Sequence, residues 1–137
     1  VGRASDRAKA LGARRAVPLQ VSAPFHSALM KPAEERLEPE LRELTVQDPP
    51  IPVVANVDGL PKRDARSAID ALVRQVSAPV QWEAVVRLLA SEGVTTYVEV
   101  GPGTVLGGLV KKIHPDARIT NFSSPDQLGA VMAACSI

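Results

Sequence analysis

The chain has 137 residues, enough for one compact domain or for part of a larger one. Hydrophobic residues make up 45% and aromatics only 3%, so a core must be built from Val, Leu, Ile and Ala. The net charge of +1 gives no general argument for nucleic acid or an anionic membrane as a partner, and no apolar stretch approaches the roughly 20 residues that span a bilayer. The single cysteine, Cys135, can form neither an internal disulfide nor a multi-cysteine zinc site. It favours an intracellular, cytoplasmic setting, and no secretory signal is visible. Charge is unevenly spread: residues 1–20 are basic, residues 34–48 acidic, and both read as solvated helix faces.

Residues 3–11 are helix-like, with Gly12 placed to end the helix. The run opens as the middle of a helix with no cap before it, so the chain is expected to be cut from something longer. Residues 15–21 read as extended, with Pro18 suggesting an edge or a strand end. Ser22-Ala23-Pro24-Phe25-His26 reads as a tight connection. A helix follows over 27–44, with Ser27 as its cap and Leu29, Ala33, Leu37, Leu41 and Leu44 as one apolar stripe. Pro39 should kink or break it near Glu35–Pro39.

Residues 51–57 read as a short buried strand, Asp58-Gly59 as a turn and 61–63 as polar loop. Asp64 can cap a helix whose apolar positions are Ile69, Leu72, Val73 and Val76. Trp82, Val85, Val86 and Leu89 mark another helix, ended by Gly93. Strands over 95–100 and 117–122 flank a helix over 105–113, and a last helix covers about 125–134. Strands alternating with helices argue for an α/β layered fold with a mainly parallel sheet. Three strands are fewer than a complete sheet of this kind has, which again points to a fragment.

Two histidines are candidates for chemistry. His26 lies in a proline-containing turn before a helix, where an imidazole can be held by the backbone and still face a cleft. Its ordinary pKa lets it take and return a proton near neutral pH. A lone loop histidine is also commonly a structural residue, and the residues alone leave both readings open. His114, before Pro115, reads as a helix C-terminal cap. Gly101-Pro102-Gly103 stands between strand and helix where phosphate loops sit, but the phosphate-loop spacings are absent. Gly107 and Gly108 read instead as close strand–helix packing. No serine stands in the G-x-S-x-G context that exposes a nucleophile.

Four ordered stretches carry a resemblance. Val21-Ser22-Ala23-Pro24-Phe25-His26-Ser27-Ala28-Leu29-Met30-Lys31-Pro32-Ala33 closely resembles the active-site histidine segment of malonyl-CoA:acyl-carrier-protein transacylases. Residues 52–58, then 71–75 with 77–82, then 98–106 resemble the family's following strand, helix and turn, and G-P-G segment. The match covers essentially the whole chain. It implies the C-terminal part of a two-part fold. Residues 1–20 would be the last helix and strand of an inserted ferredoxin-like small subdomain. Residues 21–137 would be the C-terminal part of an α/β-hydrolase-like acyltransferase subdomain.

The resemblance further implies a ping-pong transfer of malonyl from malonyl-CoA to the phosphopantetheine thiol of acyl carrier protein, with coenzyme A thioester as substrate and no cofactor or metal. His26 matches the catalytic histidine. Gln75 matches the glutamine whose main-chain carbonyl orients it. Asn56 matches a residue lining the same pocket, and Phe25 a position linked to acyl selectivity, where a bulky ring disfavours a 2-methyl branch. The family's serine, an oxyanion-hole glutamine and a carboxylate-binding arginine precede the matched region. The chain alone is therefore expected to be inactive and to need the missing N-terminal part as partner. Pro39 departs from a helix usually proline-free in the family. Fatty-acid synthesis is the expected pathway. An acyltransferase domain of a polyketide synthase and a non-catalytic α/β binding fragment are the alternatives. An acidic carrier protein would be expected to meet basic residues, with residues 3–15 and Lys111–Lys112 as candidates.

Overall fold

The structure is a computed structural model that describes residues 1–18 and 21–135. In chain order it contains α1 (Gly2–Ala10), a 3-10 turn (Ala28–Met30), α2 (Lys31–Glu43), β1 (Val53–Val54), β2 (Pro61–Lys62), α3 (Ala65–Arg74) and α4 (Trp82–Ser91). Then come β3 (Thr96–Val100), α5 (Val105–Ile113), β4 (Arg118–Phe122), a 3-10 turn (Pro125–Gln127) and α6 (Leu128–Cys135).

The best-buried part is the β3-α5-β4 unit with α4 against it. β3 and β4 pair in parallel, from Thr96 opposite Arg118 to Val100 opposite Phe122. Val86, Val110 and Ala117 are buried together, and Trp82, Tyr97, Ile113 and Ile119 pack around them. Gly107 lets α5 lie close: a Cβ there would stand 2.9 Å from Ile119 Cγ2 and 3.0 Å from Glu99 Oε2. At Gly108 such a Cβ would meet nothing within 4 Å, so the close-packing expectation holds at one glycine of the two.

Glu99 explains why the strand-to-helix turn is no phosphate loop. Its carboxylate accepts hydrogen bonds from the N–H groups of Leu106 (3.0 Å) and Gly107 (2.7 Å). These are two of the donors that a helix start leaves unpaired. A strand side chain thus occupies the place where an anion would bind. His114 ends α5 as expected, its N–H on Val110 O at 2.7 Å, and its ring Nδ1 lies 3.2 Å from the Tyr97 hydroxyl.

Several expectations need correction. The 51–57 run is not a buried parallel strand. Only Val53–Val54 pairs, antiparallel to Pro61–Lys62, and Ile51 and Val53 are exposed. Residues 61–62, expected as loop, form its partner. The described residues thus hold four strands in two separate pairs, one of them antiparallel. Pro39 does not break α2, which runs unbroken through it. The proline removes one backbone bond, and those on either side carry the helix on. The leucine stripe does not face inward either: Leu29, Leu37 and Leu44 are exposed, and the buried residue of α2 is Glu34. One residue is a rotation of about 100° on a helix, so Glu34 faces away from its stripe neighbour Ala33, while Leu41 of the stripe is half-buried. Residues 15–18 form no strand, and the rest of that expected segment, residues 19 and 20, lies outside the described residues.

Asp64 caps α3 as its position implied, its carboxylate accepting from the Ser67 N–H at 2.8 Å. Asp48 adds a second link by accepting from the Ala65 N–H at 2.8 Å.

The two glycines of α5 give the first test. Gly107→Ala should destabilise the fold by about 1–3 kcal/mol through overpacking. Gly108→Ala should be neutral or stabilising by up to about 1 kcal/mol, since alanine favours helix. Urea midpoints of the two variants should move in opposite directions or differ clearly in size; equal shifts would refute the close approach at Gly107.

Candidate active site

The His26 turn is built locally. Ser27 takes the N-cap backbone position of the following 3-10 turn, but its hydroxyl does not cap. It donates instead to Pro24 O at 2.7 Å and closes the turn on itself. His26 sits there with φ of +55°, alone among the described non-glycine residues in the left-handed region. That conformation costs roughly 1–2 kcal/mol for a residue with a Cβ.

The imidazole is exposed, and its Nδ1 lies 2.9 Å from the main-chain oxygen of Gln75. Gln75 is the C-cap of α3; its own N–H bonds to Ala71 O at 3.0 Å. Its carbonyl is among the last four of the helix, which have no partner inside it. A carbonyl only accepts, so Nδ1 must carry the hydrogen. The neutral ring then keeps its lone pair on Nε2. A single hydrogen bond nets about 0.5–1.5 kcal/mol. That is comparable with the cost of the left-handed backbone, so the bond leaves little net gain at His26.

The connection from Gln75 to Gln81 is tied down at further points. Asn56 lies in the turn after β1, and its main-chain oxygen accepts from the Gln81 N–H at 2.7 Å. Asp58 in the same turn accepts from Leu60 N–H (3.1 Å), Lys62 Nζ (2.9 Å) and Arg74 Nη2 (2.9 Å). Gly59 completes the turn with φ of +66°, its N–H on Ala55 O at 2.9 Å. Glu34, only 4% exposed, accepts from both the Ser77 hydroxyl and Lys31 Nζ. Arg42 Nη1 meets Asp70 Oδ1 at 2.8 Å further along α2 and α3.

Of the residues singled out from sequence, the structure joins His26 and Gln75 directly. Asn56 is connected to the far end of the same loop by its main chain. No hydrogen bond joins it to His26 among the described residues. Phe25 is 56% exposed beside His26. Sequence reading missed Glu34 and Ser77, and it found Asp58 as a turn residue without its carboxylate's partners. The Leu60 N–H among those partners could have been found, because Asp-Gly turns commonly use the aspartate carboxylate on their own backbone. Glu34 could not, because an acidic residue amid other acidic residues reads as solvated. Among the described residues no three of His, Cys, Asp and Glu cluster closely enough to hold a metal, and no helix is long and apolar enough to cross a membrane.

No protein-family model matches the sequence. Over 132 residues, 96% of its length, the chain is 47% identical to the malonyl CoA-acyl carrier protein transacylase of Salmonella typhimurium, and spans 43% of that relative. Its structure matches the acyl-carrier-protein S-malonyltransferase of Burkholderia pseudomallei 1710b with a TM-score of 0.88 at 43% identity, covering 96% of this chain and 43% of that one. A malonyl-transacylase solved in complex with its type II PKS acyl-carrier protein matches with a TM-score of 0.87 at 40% identity, covering 99% of this chain and 43% of that one. Fold and site together define an α/β protein that presents one exposed imidazole anchored on a helix-terminal carbonyl. Over nearly its whole length the chain is similar to malonyl CoA-acyl carrier protein transacylases, and it spans less than half the length of those relatives.

Asp58 gives a prediction in pH. Burial opposes its ionisation, but the bonds from Lys62, Arg74 and the Leu60 N–H outweigh that and lower its pKa from 3.8 to about 2. A carboxylate with a depressed folded-state pKa stabilises the fold above the unfolded-state value and loses that contribution as pH falls to the folded one. The contribution is about 2 kcal/mol, present above about pH 4 and lost towards pH 2. Asp58→Asn should therefore be less stable than the unaltered chain at pH 6, with the gap narrowing between pH 4 and pH 2. A gap independent of pH in urea titrations would refute the pairing.

Proposed function

We propose that the chain supplies the histidine part of a malonyl-CoA:acyl-carrier-protein transacylase. The observation that carries this reading is the contact of His26 Nδ1 with Gln75 O at 2.9 Å, in a chain related to such enzymes over 96% of its length. His26 Nε2 is the general base. It takes the hydroxyl proton of a serine as the serine oxygen attacks the malonyl thioester carbonyl. The imidazolium returns that proton to the departing coenzyme A thiolate, leaving a malonyl-serine ester. In the second half the same nitrogen takes the proton of the phosphopantetheine thiol, whose sulfur attacks the ester, and gives it back to the serine oxygen.

Gln75 orients the ring through its main chain, in the position that an aspartate occupies in other triads. Phe25, exposed beside the histidine, limits the acyl pocket to unbranched malonyl, a selection of about 1–3 kcal/mol for one methyl. Asn56 lines the same pocket. The serine, an oxyanion-hole glutamine and a carboxylate-binding arginine come from the part of the relatives outside the match. Residues 1–20 belong to a ferredoxin-like small subdomain, in keeping with an α1 that buries none of its residues. Residues 21–137 belong to the α/β-hydrolase-like part. Fatty-acid synthesis is the pathway. The likeness to a transacylase solved with a type II PKS carrier protein favours polyketide synthesis as the second reading.

Malonyl transfer to acyl carrier protein, followed by the mass of the carrier, tests this. The chain alone should give none. Combined with a serine-bearing N-terminal part from a relative, it should give transfer that His26→Ala lowers about 10³-fold. Gln75→Ala should lower it less than about tenfold, because the carbonyl remains. Full transfer with His26→Ala would overturn the catalytic role and leave a non-catalytic binding fragment.

A further inference from the structure

We propose that Glu34, acting through Ser77, is a positioning residue for His26. The inference rests on the functional reading above. Two segments meet at the site: the His26 turn leading into α2, and the loop that begins at Gln75. They are joined twice. The first link is the exposed bond from His26 Nδ1 to Gln75 O. The second lies eight residues along from His26 and two along from Gln75, where Glu34 takes the Ser77 hydroxyl.

The two links differ in strength. The first is exposed and neutral, and its gain is offset by the left-handed backbone at His26. The second is part-buried, on a carboxylate that is itself buried, and charge-assisted, the kind of hydrogen bond roughly twice as strong as a neutral one. Lys31, from the first turn of α2, holds the other carboxylate oxygen. Lys31 first, then Ser77, keep the Glu34 carboxyl below the usual range, so it is ionised at neutral pH.

A buried carboxylate is costly unless every oxygen is satisfied, and removing its partner leaves that cost uncompensated. Glu34 therefore opposes any slide of the Gln75 loop along α2, because sliding would unpair it. The loop's register sets where the Gln75 carbonyl points, and so which ring nitrogen of His26 carries the hydrogen. The Arg42–Asp70 pair joins the same helices but is exposed at both ends, where ion pairs contribute little.

The test reads the imidazole directly. Long-range 1H–15N spectra of the chain at a pH where the ring is neutral should show a single tautomer with hydrogen on Nδ1. Ser77→Ala and Glu34→Ala should lose that single tautomer and show a mixture, with the backbone spectrum elsewhere still dispersed. Ser77→Thr, which keeps the hydroxyl, should restore it, and Arg42→Ala should leave it unchanged. In the reconstituted transfer assay Ser77→Ala should lower kcat about tenfold with KM nearly unchanged, as expected when geometry and not binding is lost. Should Glu34→Ala fail to fold, Ser77→Ala decides, since Glu34 then still keeps Lys31. A single Nδ1–H tautomer persisting in Ser77→Ala would overturn the positioning role and leave the functional reading standing. A mixture in the unaltered chain would overturn the orientation by Gln75, and the positioning claim with it.

Discussion

A helix that ends leaves carbonyls without partners, and the one at Gln75 organises this site. α3 stops at Arg74, and the Gln75 oxygen, free of any bond within the helix, takes the His26 ring. Everything near it fixes where that oxygen points. Asp64 starts the helix, Ile69 and Val73 bury its inner face, and Arg74 is tied to Asp58. Beyond it, Ser77 is held by Glu34 and Gln81 by Asn56. The loop is therefore fixed at both ends and in the middle, by partners from α2 and from the β1–β2 turn. No one of these bonds is large. Together they make the carbonyl direction a property of the fold, not of one side chain.

The β3-α5-β4 unit plays a different part. It is the best-packed region, and its contacts are apolar or internal caps. Glu99 satisfies the start of α5, and Gly107 lets that helix lie on β4. α4 bridges the two regions. Val86 packs into the parallel unit, while at its start Gln81 is held by Asn56 and Ala84 meets Gly59. Thus the loop that holds His26 is joined through one helix to the buried cluster of the parallel unit.

Much of this was legible in the residues. Alternating strands and helices, the Asp64 cap, the Asp58-Gly59 turn and the end of α4 at Gly93 all rest on local chemistry, and local chemistry can be read from a few neighbours. His26 was a candidate from its turn alone. Gln75 was not: a main-chain contact leaves no mark on residue type, and only the resemblance singled it out. Glu34 was hidden because burial is decided by what a helix meets, and the apolar stripe beside it pointed one position away. The pairing of β1 with β2 was missed because Pro61 sits where a strand is least expected, although an edge position tolerates a missing N–H. Pro39 failed as a breaker because it removes one backbone bond, and the helix bonds on either side carry α2 through it.

A carbonyl in the place of a carboxylate has a consequence for the proposed chemistry. A carboxylate would stabilise the imidazolium strongly and make it a weaker acid. A carbonyl at the end of a helix carries only partial negative charge, so its part is to orient the ring. Both halves of a ping-pong transfer need the proton back promptly: first the coenzyme A thiolate takes it, then the serine oxygen. An imidazole held in one tautomer suits that exchange. The demand then falls on geometry, because little electrostatic energy remains to pull a misplaced ring into line. On the proposed reading, the link from Glu34 to Ser77, two residues past Gln75, supplies the geometry that the exposed bond from His26 to Gln75 does not secure alone.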